Sequence, residues 1–174
     1  MKATYDETSN VIRRLDSEDV DVFRRIRIEA LRAQPAAFAS TVEEWERLSV
    51  EEWRRRLTDI AVYVAFRQGV PVGIMGLMRQ QASKMAHRAT IIMVYVREAE
   101  RGLGVATDLM KLLAAGARLA GIRQLELAVS VENLSAIRLY QREGFAEIGR
   151  IPGAIVHDCR DIDEILMARR IDTP

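Results

Sequence analysis

The segment from Val94 to Ala106 constrains the fold of this chain more than any other part of the sequence. An apolar run ends in Val94-Tyr95-Val96, a turn with Gly102 and Gly104 follows, and an amphipathic helix is predicted from Gly102 to Ala120. Glycines allow the main chain to approach a ligand closely, and the free N–H groups at a helix N-terminus attract anions. The segment therefore predicts a buried strand, an anion-binding turn and a helix in direct succession.

The strand predicted before this turn and the strand predicted after the helix form a crossover unit, so we expect them to be parallel. An earlier pair of strands meets at Gln68-Gly69, which is typical of a hairpin and of antiparallel pairing. We therefore expect one α/β domain over residues 1–174, with a mixed central sheet of about seven strands flanked by helices. The expected strands are Val11–Leu15, Ile60–Arg67, Val70–Arg79, Ala89–Val96, Gln124–Val129, Ala146–Val156 and Asp163–Ile171.

Three further helical segments are predicted from their caps and apolar spacing. The first spans Asp19–Ala33 with Asp16 or Ser17 as its cap, and a second helical region follows Pro35 and carries Trp45 and Trp53. Another helix begins at the cap Asn133, and Gly144 provides the left-handed residue that commonly ends a helix. These helices supply the layers that cover the sheet.

Composition excludes several classes of function. Lys and Arg number 26 against 25 Asp and Glu, so the net charge of +1 predicts no nucleic acid partner. We see no signal peptide and no apolar stretch of about eighteen residues, which predicts no membrane partner. The single cysteine, Cys159, cannot form an internal disulfide and favours a cytoplasmic location. His87 and His157 have no close ligand partners, so we expect no metal.

The glycine turn has several interpretations. A Walker loop requires Lys followed by Ser or Thr after its last glycine, and Val105-Ala106 stands there instead. A dinucleotide fingerprint requires a small residue where Thr107 lies, so a nucleotide-binding domain is the weaker alternative. The glycines alone would also be explained by a tight turn between strand and helix. The turn by itself does not decide between these interpretations.

Two motifs in register resemble the GNAT N-acetyltransferase superfamily. Arg101-Gly-Leu-Gly-Val-Ala106 is similar to its Arg/Gln-x-x-Gly-x-Gly/Ala signature, and Asn133-Leu-Ser-Ala-Ile-Arg-Leu-Tyr140 with Glu143-Gly-Phe145 resembles its second motif. Glu98 replaces a proline that members often carry. The resemblance implies the GNAT fold, acetyl-CoA as cosubstrate and no metal. It also implies direct transfer of the acetyl group to a primary amine of a small molecule or protein.

The resemblance further implies which residues bind the coenzyme. Main-chain amides of the glycine turn would hold the pyrophosphate, and the end of the preceding strand would flank the pantetheine arm. Asn133 would cap its helix, contact the pantetheine or do both. The residues implied are Val94, Tyr95, Val96, Arg101, Gly102, Leu103, Gly104, Val105, Ala106, Asn133, Ala136 and Tyr140.

The catalytic roles follow from the chemistry of acyl transfer. Tyr140 is the candidate general acid, because a phenol with a pKa of about 10 can protonate the departing thiolate; a packing tyrosine is the alternative. Glu126 is the candidate general base through a water, or a strand carboxylate facing solvent. Tyr95 either points at the acceptor or belongs to the core.

Other assignments stay open at the level of sequence. The acidic residues Glu43, Glu44 and Glu46 either attract a cationic amine or form a solvated helix face, which a charge run favours. The resemblance also implies a homodimer. The alternative to an enzyme is a non-catalytic acyl-CoA-binding sensor or interaction module, which would use the same turn.

Overall fold

The fold is a seven-stranded mixed sheet in the order β1-β2-β3-β4-β5-β7-β6, which confirms the predicted fold class. The computed structural model describes residues 11–172, so the ends of the predicted 1–174 domain lie outside it. The strands are β1 Val11–Arg14, β2 Ala61–Arg67, β3 Val70–Arg79, β4 Arg88–Val96, β5 Gln124–Ser130, β6 Ala146–His157 and β7 Arg160–Arg170. The helices are α1 Val20–Ala33, α2 Val42–Glu46, α3 Val50–Asp59, α4 Val105–Leu119 and α5 Leu134–Arg142.

Two apolar clusters hold the layers on the sheet. On one face, Phe23 of α1 packs edge-on against Trp45 and Trp53, with ring centroids 5.9 and 5.0 Å away. On the other face, α4 buries Leu109 and Leu113 completely against the sheet. The first half of the sheet is therefore covered on both faces, which explains the nearly continuous apolar runs of β2 and β3.

The parallel pairing of β4 with β5 is short. Their register covers only Arg88–Thr90 against Gln124–Glu126, after which β5 continues to pair with β7. Further along β4, Met93 and Val94 together face the single β3 residue Met75, and Met93 adopts φ +57°. This bulge bends β4. Within the described residues, β4 therefore leaves β5 beyond Thr90, and a cleft opens between them.

The structure corrects the predicted start of the first helix. Asp19, and neither Asp16 nor Ser17, is the residue at the N-cap of α1. Its carboxylate makes no cap bond, because it accepts hydrogen bonds from the Arg13 side chain and from the main-chain N–H of Asp16. The cap prediction was wrong because a turn separates Asp16 and Ser17 from the helix: the Asp19 N–H donates to the Asp16 carbonyl at 3.1 Å, and the Glu18 N–H donates to the Asp16 carboxylate at 2.9 Å.

Other element boundaries differ in smaller ways. The helical region after Pro35 is two helices, α2 and α3, and each begins with a capping box: Thr41 with Glu44, and Ser49 with Glu52. β7 begins at Arg160, earlier than expected, and α4 begins at Val105, later than the predicted Gly102, because Gly102 and Gly104 adopt positive φ. The remaining strands and α5 agree with the predicted segments to within one or two residues.

Candidate active site

A cavity of about 430 Å³ lies at the mouth of the cleft between β4 and β5. The end of β4, the glycine turn, the first turn of α4 and one side of α5 enclose it. Its lining residues are Gln34, Val94, Tyr95, Val96, Glu100, Arg101, Gly102, Gly104, Val105, Ala106, Thr107, Asn133, Ser135, Ala136, Leu139 and Arg142. Ten of the predicted coenzyme-binding residues are among them.

The glycine turn is built to present main-chain donors. Gly102 and Gly104 have φ of +77° and +83°, a region that other residues rarely adopt, and Gly104 is the N-cap of α4. The Arg101 Nε donates to the Val96 carbonyl at 3.1 Å, which ties the turn to the end of β4. A Cβ at Gly102 would meet no atom of the described residues within 4 Å, so the space before the turn is open.

These donors fit the diphosphate of a coenzyme. Free N–H groups and the partial positive charge of the α4 N-terminus favour an anion there, and Arg101 and Arg142 add two cationic side chains to the cavity wall. Ala106 and Leu139 supply apolar surface for an uncharged arm. The cavity is therefore matched to a ligand with an anionic end and a neutral chain.

Asn133 caps α5 and also faces the cavity. Its Oδ1 accepts hydrogen bonds from the Ala136 N–H at 3.2 Å and the Ser135 hydroxyl at 3.0 Å. The predicted cap is confirmed, and contact with a ligand stays a prediction. Asn133 also lines a second cavity, so it lies where the two meet.

The second cavity has a volume of about 250 Å³ and lies at the end of β5. It shares Gln34 and Asn133 with the first cavity, and its one charged lining residue is Glu132. Arg160 of β7 donates to both oxygens of that carboxylate, at 3.2 and 3.4 Å. The remaining lining residues are Pro35, Ala36, Ala37 and Ser130.

A network centred on Glu29 joins α1 to the end of β4. Arg97 donates to both Glu29 oxygens at 2.6 Å, and the Tyr95 hydroxyl donates to the same carboxylate at 3.2 Å. The Arg97 guanidinium lowers the pKa of Glu29, and burial raises the pKa of Tyr95. Tyr95 is thus a core aromatic whose hydroxyl donates to Glu29. Tyr95 also contributes to the lining of the first cavity.

Tyr140, the candidate general acid, is buried beside the first cavity and is not among its lining residues. Its ring packs against Phe145 with centroids 5.9 Å apart, and its neighbour Leu139 faces the cavity. Burial raises the pKa of the Tyr140 phenol above its ordinary value, which makes the group a weaker proton donor. Its catalytic role stays a prediction.

Glu126 and Leu103 also lie apart from the cavity lining. Arg88 forms a two-pronged ion pair with Glu126, one contact being 2.8 Å from Nη2 to Oε2, and Gln124 donates to the same carboxylate at 2.7 Å. The Arg88 guanidinium lowers the pKa of Glu126, which weakens this carboxylate as a base. Leu103 is exposed in the glycine turn. Their assigned roles stay predictions.

Sequence reasoning did not identify six residues of the first cavity. Thr107 follows the glycine turn directly, and Ser135, Leu139 and Arg142 lie on the α5 face that carries Ala136, so helical spacing could have indicated them. Glu100 directly precedes Arg101, so its place next to the motif could have indicated it. Gln34 could not be found in this way, because it follows α1 and enters from a separate segment.

The acidic residues of α2 lie outside both cavities. Glu44 accepts a hydrogen bond from the Thr41 N–H at 2.9 Å within a capping box, and Glu46 pairs with Arg32. Glu43 is exposed. These glutamates form a solvated helix face, which is the interpretation that their clustering in the sequence favoured.

Comparison with known proteins places this cleft in a family. Residues 25–145 match the acetyltransferase (GNAT) family over the glycine turn, α4, β5 and α5. The chain belongs to this family. It is 30% identical over 138 residues to the uncharacterized N-acetyltransferase MJ1207 of Methanocaldococcus jannaschii, a match that covers 78% of this chain and 60% of MJ1207.

Two further similarities extend over nearly the whole GNAT chain. The L-amino acid N-acetyltransferase AaaT of Escherichia coli is 28% identical over 163 residues, 91% of this chain and 96% of AaaT. The fold is shared with yncA of Salmonella typhimurium, solved with its cofactor acetyl-CoA: the TM-score is 0.76 at 21% identity, covering 95% of this chain and 96% of yncA. The predicted family and fold are therefore confirmed.

Membrane-spanning helices and metal clusters are both absent from the described part of this GNAT protein. Within residues 11–172, no helix is long and apolar enough to cross a bilayer. No three His, Cys, Asp or Glu side chains among those residues are grouped so that they could hold a metal ion.

Proposed function

We propose that this chain transfers the acetyl group of acetyl-CoA to a primary amine of a small molecule by direct attack. The observation that carries the proposal is the splayed pair β4 and β5, with one cavity at a helix N-terminus and a second cavity meeting it at Gln34 and Asn133. The first would hold the coenzyme and the second the acceptor. The two reactants would then meet at the end of the cleft.

Acetyl-CoA supplies an activated thioester carbonyl. The neutral amine attacks this carbon, so that a C–N bond forms and the C–S bond breaks, and the products are an N-acetylated amine and the thiol form of the coenzyme. Among the described residues, the edge of β4 beyond Thr90 has left β5, and its main-chain N–H groups near Val94 are suited to stabilise negative charge on the carbonyl oxygen. Holding both reactants in adjoining cavities lowers the entropic cost of their encounter.

Two proton transfers complete the reaction. We assign Tyr140 to protonate the departing sulfur, because α5 places it beside the cavity and a phenol is protonated at neutral pH. Burial raises the pKa of this phenol, which makes it a weaker acid. The ammonium form of the acceptor must first lose a proton, which a water can accept, and the neutral amine then attacks. Glu126 is retained as the proposed base acting through such a water, although its ion pair with Arg88 disfavours protonation.

The size of the second cavity supports a small acceptor. A water molecule occupies about 30 Å³ of the liquid, so a space of about 250 Å³ holds a ligand of roughly eight non-hydrogen atoms. AaaT, similar over almost its whole length, is named for an L-amino acid acceptor. Within this proposal the protein acts in the cytoplasm, and a homodimer is its proposed assembly.

An acceptor screen with detection of free thiol tests the proposal. Purified protein and acetyl-CoA are mixed with amino acids, polyamines, small aromatic amines and N-terminal peptides. We expect thiol release that depends on both enzyme and amine, and larger for small amines than for peptides. Binding of acetyl-CoA without release in any arm would favour the sensor or interaction module over an enzyme.

A further inference from the structure

The second cavity carries one charge on its wall and a charge of opposite sign next to it. Glu132 lines the cavity, and Arg160 pairs with Glu132 through two contacts. The main-chain N–H of Glu132 donates to the Ser130 hydroxyl at 3.1 Å, which fixes the turn that presents the carboxylate. The main-chain N–H of Val131 donates to the Asp163 carbonyl at 3.0 Å, so β5 and β7 hold this turn together.

This ion pair is open to exchange. The side chains of Glu132 and Arg160 remain 49% and 62% exposed, so both charged groups keep contact with water. A pair of this kind contributes about 0–1 kcal/mol to stability, and little is lost when a ligand separates it. A ligand that carries both charges close together would replace one pair by two.

An α-amino acid has this distribution of charge. Its ammonium and carboxylate stand on one carbon, and the ammonium nitrogen is the atom to be acetylated. The Glu132 carboxylate can pair with the ammonium. The planar guanidinium of Arg160 can donate two parallel hydrogen bonds to a carboxylate. A simple amine could use only Glu132.

We propose that Glu132 and Arg160 select a zwitterionic α-amino acid as the acceptor, an inference that rests on the proposed acetyl transfer. The Glu132 carboxylate binds the α-ammonium, and the Arg160 guanidinium leaves Glu132 to bind the α-carboxylate. The ammonium then loses its proton to water before it attacks. Both residues act in recognition, and neither takes part in the bond changes.

The test compares L-methionine with its methyl ester, which keeps the amine and lacks the negative charge. Initial rates of thiol release are measured for wild type, Arg160→Ala and Glu132→Gln over a range of each acceptor. The ester amine is less basic and reacts differently for that reason, but the ratio of acid to ester in each variant, divided by the wild-type ratio, cancels this difference.

We expect Arg160→Ala to lower kcat/KM for the free acid about tenfold, through KM, and to leave the ester within about twofold, which corresponds to the loss of one charged contact. Glu132→Gln should raise KM for both acceptors. Arg170→Ala is the matched control, because Arg170 forms an exposed pair with Asp172 at the other end of β7. It should leave both acceptors unchanged.

The outcomes separate this inference from the function on which it rests. Thiol release with an unchanged acid-to-ester ratio in Arg160→Ala overturns the zwitterion inference and leaves acetyl transfer intact. An absence of release by the wild type with every amine overturns the proposed function, and the inference with it. Retained affinity for acetyl-CoA in both variants, measured by calorimetry, shows that a changed KM does not come from a damaged coenzyme site.

Discussion

The two adjoining cavities are built in different ways. The coenzyme-side cavity depends on main-chain features: two glycines at positive φ, a helix N-terminus and the edge of a bulged strand. The acceptor-side cavity depends on side chains, with Glu132 and Ser130 at the end of β5 and a short segment after α1. The first arrangement suits a ligand that is the same in every reaction. The second can change its specificity by a few substitutions without disturbing the fold.

Replacement of Gly104 by Val should give the largest effect on coenzyme affinity and should act on the coenzyme side alone. A β-branched residue at φ +83° strains the cap of α4 and places its Cβ 3.9 Å from an Asp108 carboxylate oxygen. We expect acetyl-CoA affinity to fall by about tenfold or more. Strain of about 1–3 kcal/mol at the cap shifts the turn away from the geometry that presents its N–H groups to the ligand. Calorimetric titration of acetyl-CoA into the variant and the wild type measures this affinity.

Gly69→Val is the matched control for that variant. Gly69 has φ +76°, and a Cβ at this position would meet no described atom within 4 Å, but it lies in the β2–β3 turn. The variant should lose stability and keep its affinity for acetyl-CoA. Equal losses of affinity in the two variants would show that the effect is global, and the contrast between the cavities would fail.

Tyr140→Phe should separate chemistry from coenzyme binding. The ring and its packing on Phe145 remain, and the proton donor is lost. We expect kcat to fall by about a hundredfold or more with little change in acetyl-CoA affinity, as is typical for loss of a general acid. Tyr63→Phe, another buried tyrosine, serves as control. Unchanged turnover in Tyr140→Phe would remove Tyr140 from the mechanism.

Gly116→Ala should lower stability, because α4 packs closely against β2 at this position. A Cβ at Gly116 would lie 2.2 Å from the Tyr63 hydroxyl, whose ring is buried. We expect the free energy of unfolding to fall by about 1–3 kcal/mol in urea titrations. The loss should be smaller in a Tyr63→Phe background, because the hydroxyl is then absent. An equal loss in both backgrounds would show that this contact is not the cause.

Glu29→Gln tests the link between helix α1 and the coenzyme-side strand β4. Because Arg97 holds the pKa of Glu29 below its ordinary value, the carboxylate stabilises the fold above about pH 4.3, and this contribution is lost as the pH falls through the folded-state pKa. At pH 7 we expect Glu29→Gln to be about 1 kcal/mol less stable than wild type.

The difference in the free energy of unfolding between Glu29→Gln and wild type should shrink in acid. Urea unfolding at neutral, mildly acidic and more strongly acidic pH measures this difference. Glu147→Gln, an exposed glutamate of β6, is the control and should track wild type throughout. A difference between Glu29→Gln and wild type that stays constant with pH would mean that charge on Glu29 is not what joins the two elements.

The contrast between the coenzyme-side and acceptor-side cavities also explains which features could be predicted from the sequence. The glycine turn, the Asn133 cap and the β2–β3 hairpin follow from local patterns, because each signal lies within a few residues. The bulge at Met93 has no local signature, and the φ of +57° there is imposed by the pairing of β4 with β3. The cap of α1 was mispredicted because Asp16 accepts hydrogen bonds from Glu18 and Asp19 in a turn that precedes the helix.

The acceptor side could not be predicted, because it is assembled from distant parts of the chain. Glu132 and Arg160 come from different elements, and Gln34 comes from a third. The same holds for Glu29 and Arg97, whose pairing requires the finished fold. Ion pairs between elements of a fold leave no periodic pattern in the sequence.

Calorimetric titration of acetyl-CoA and of free coenzyme A into the folded protein tests the central claim most directly. We predict saturable binding of both ligands and a negative heat-capacity change, since the pantetheine arm would enter a partly apolar cavity. The absence of heat from either ligand, with protein that circular dichroism shows to be folded, would contradict the claim that the cleft between β4 and β5 is a coenzyme site.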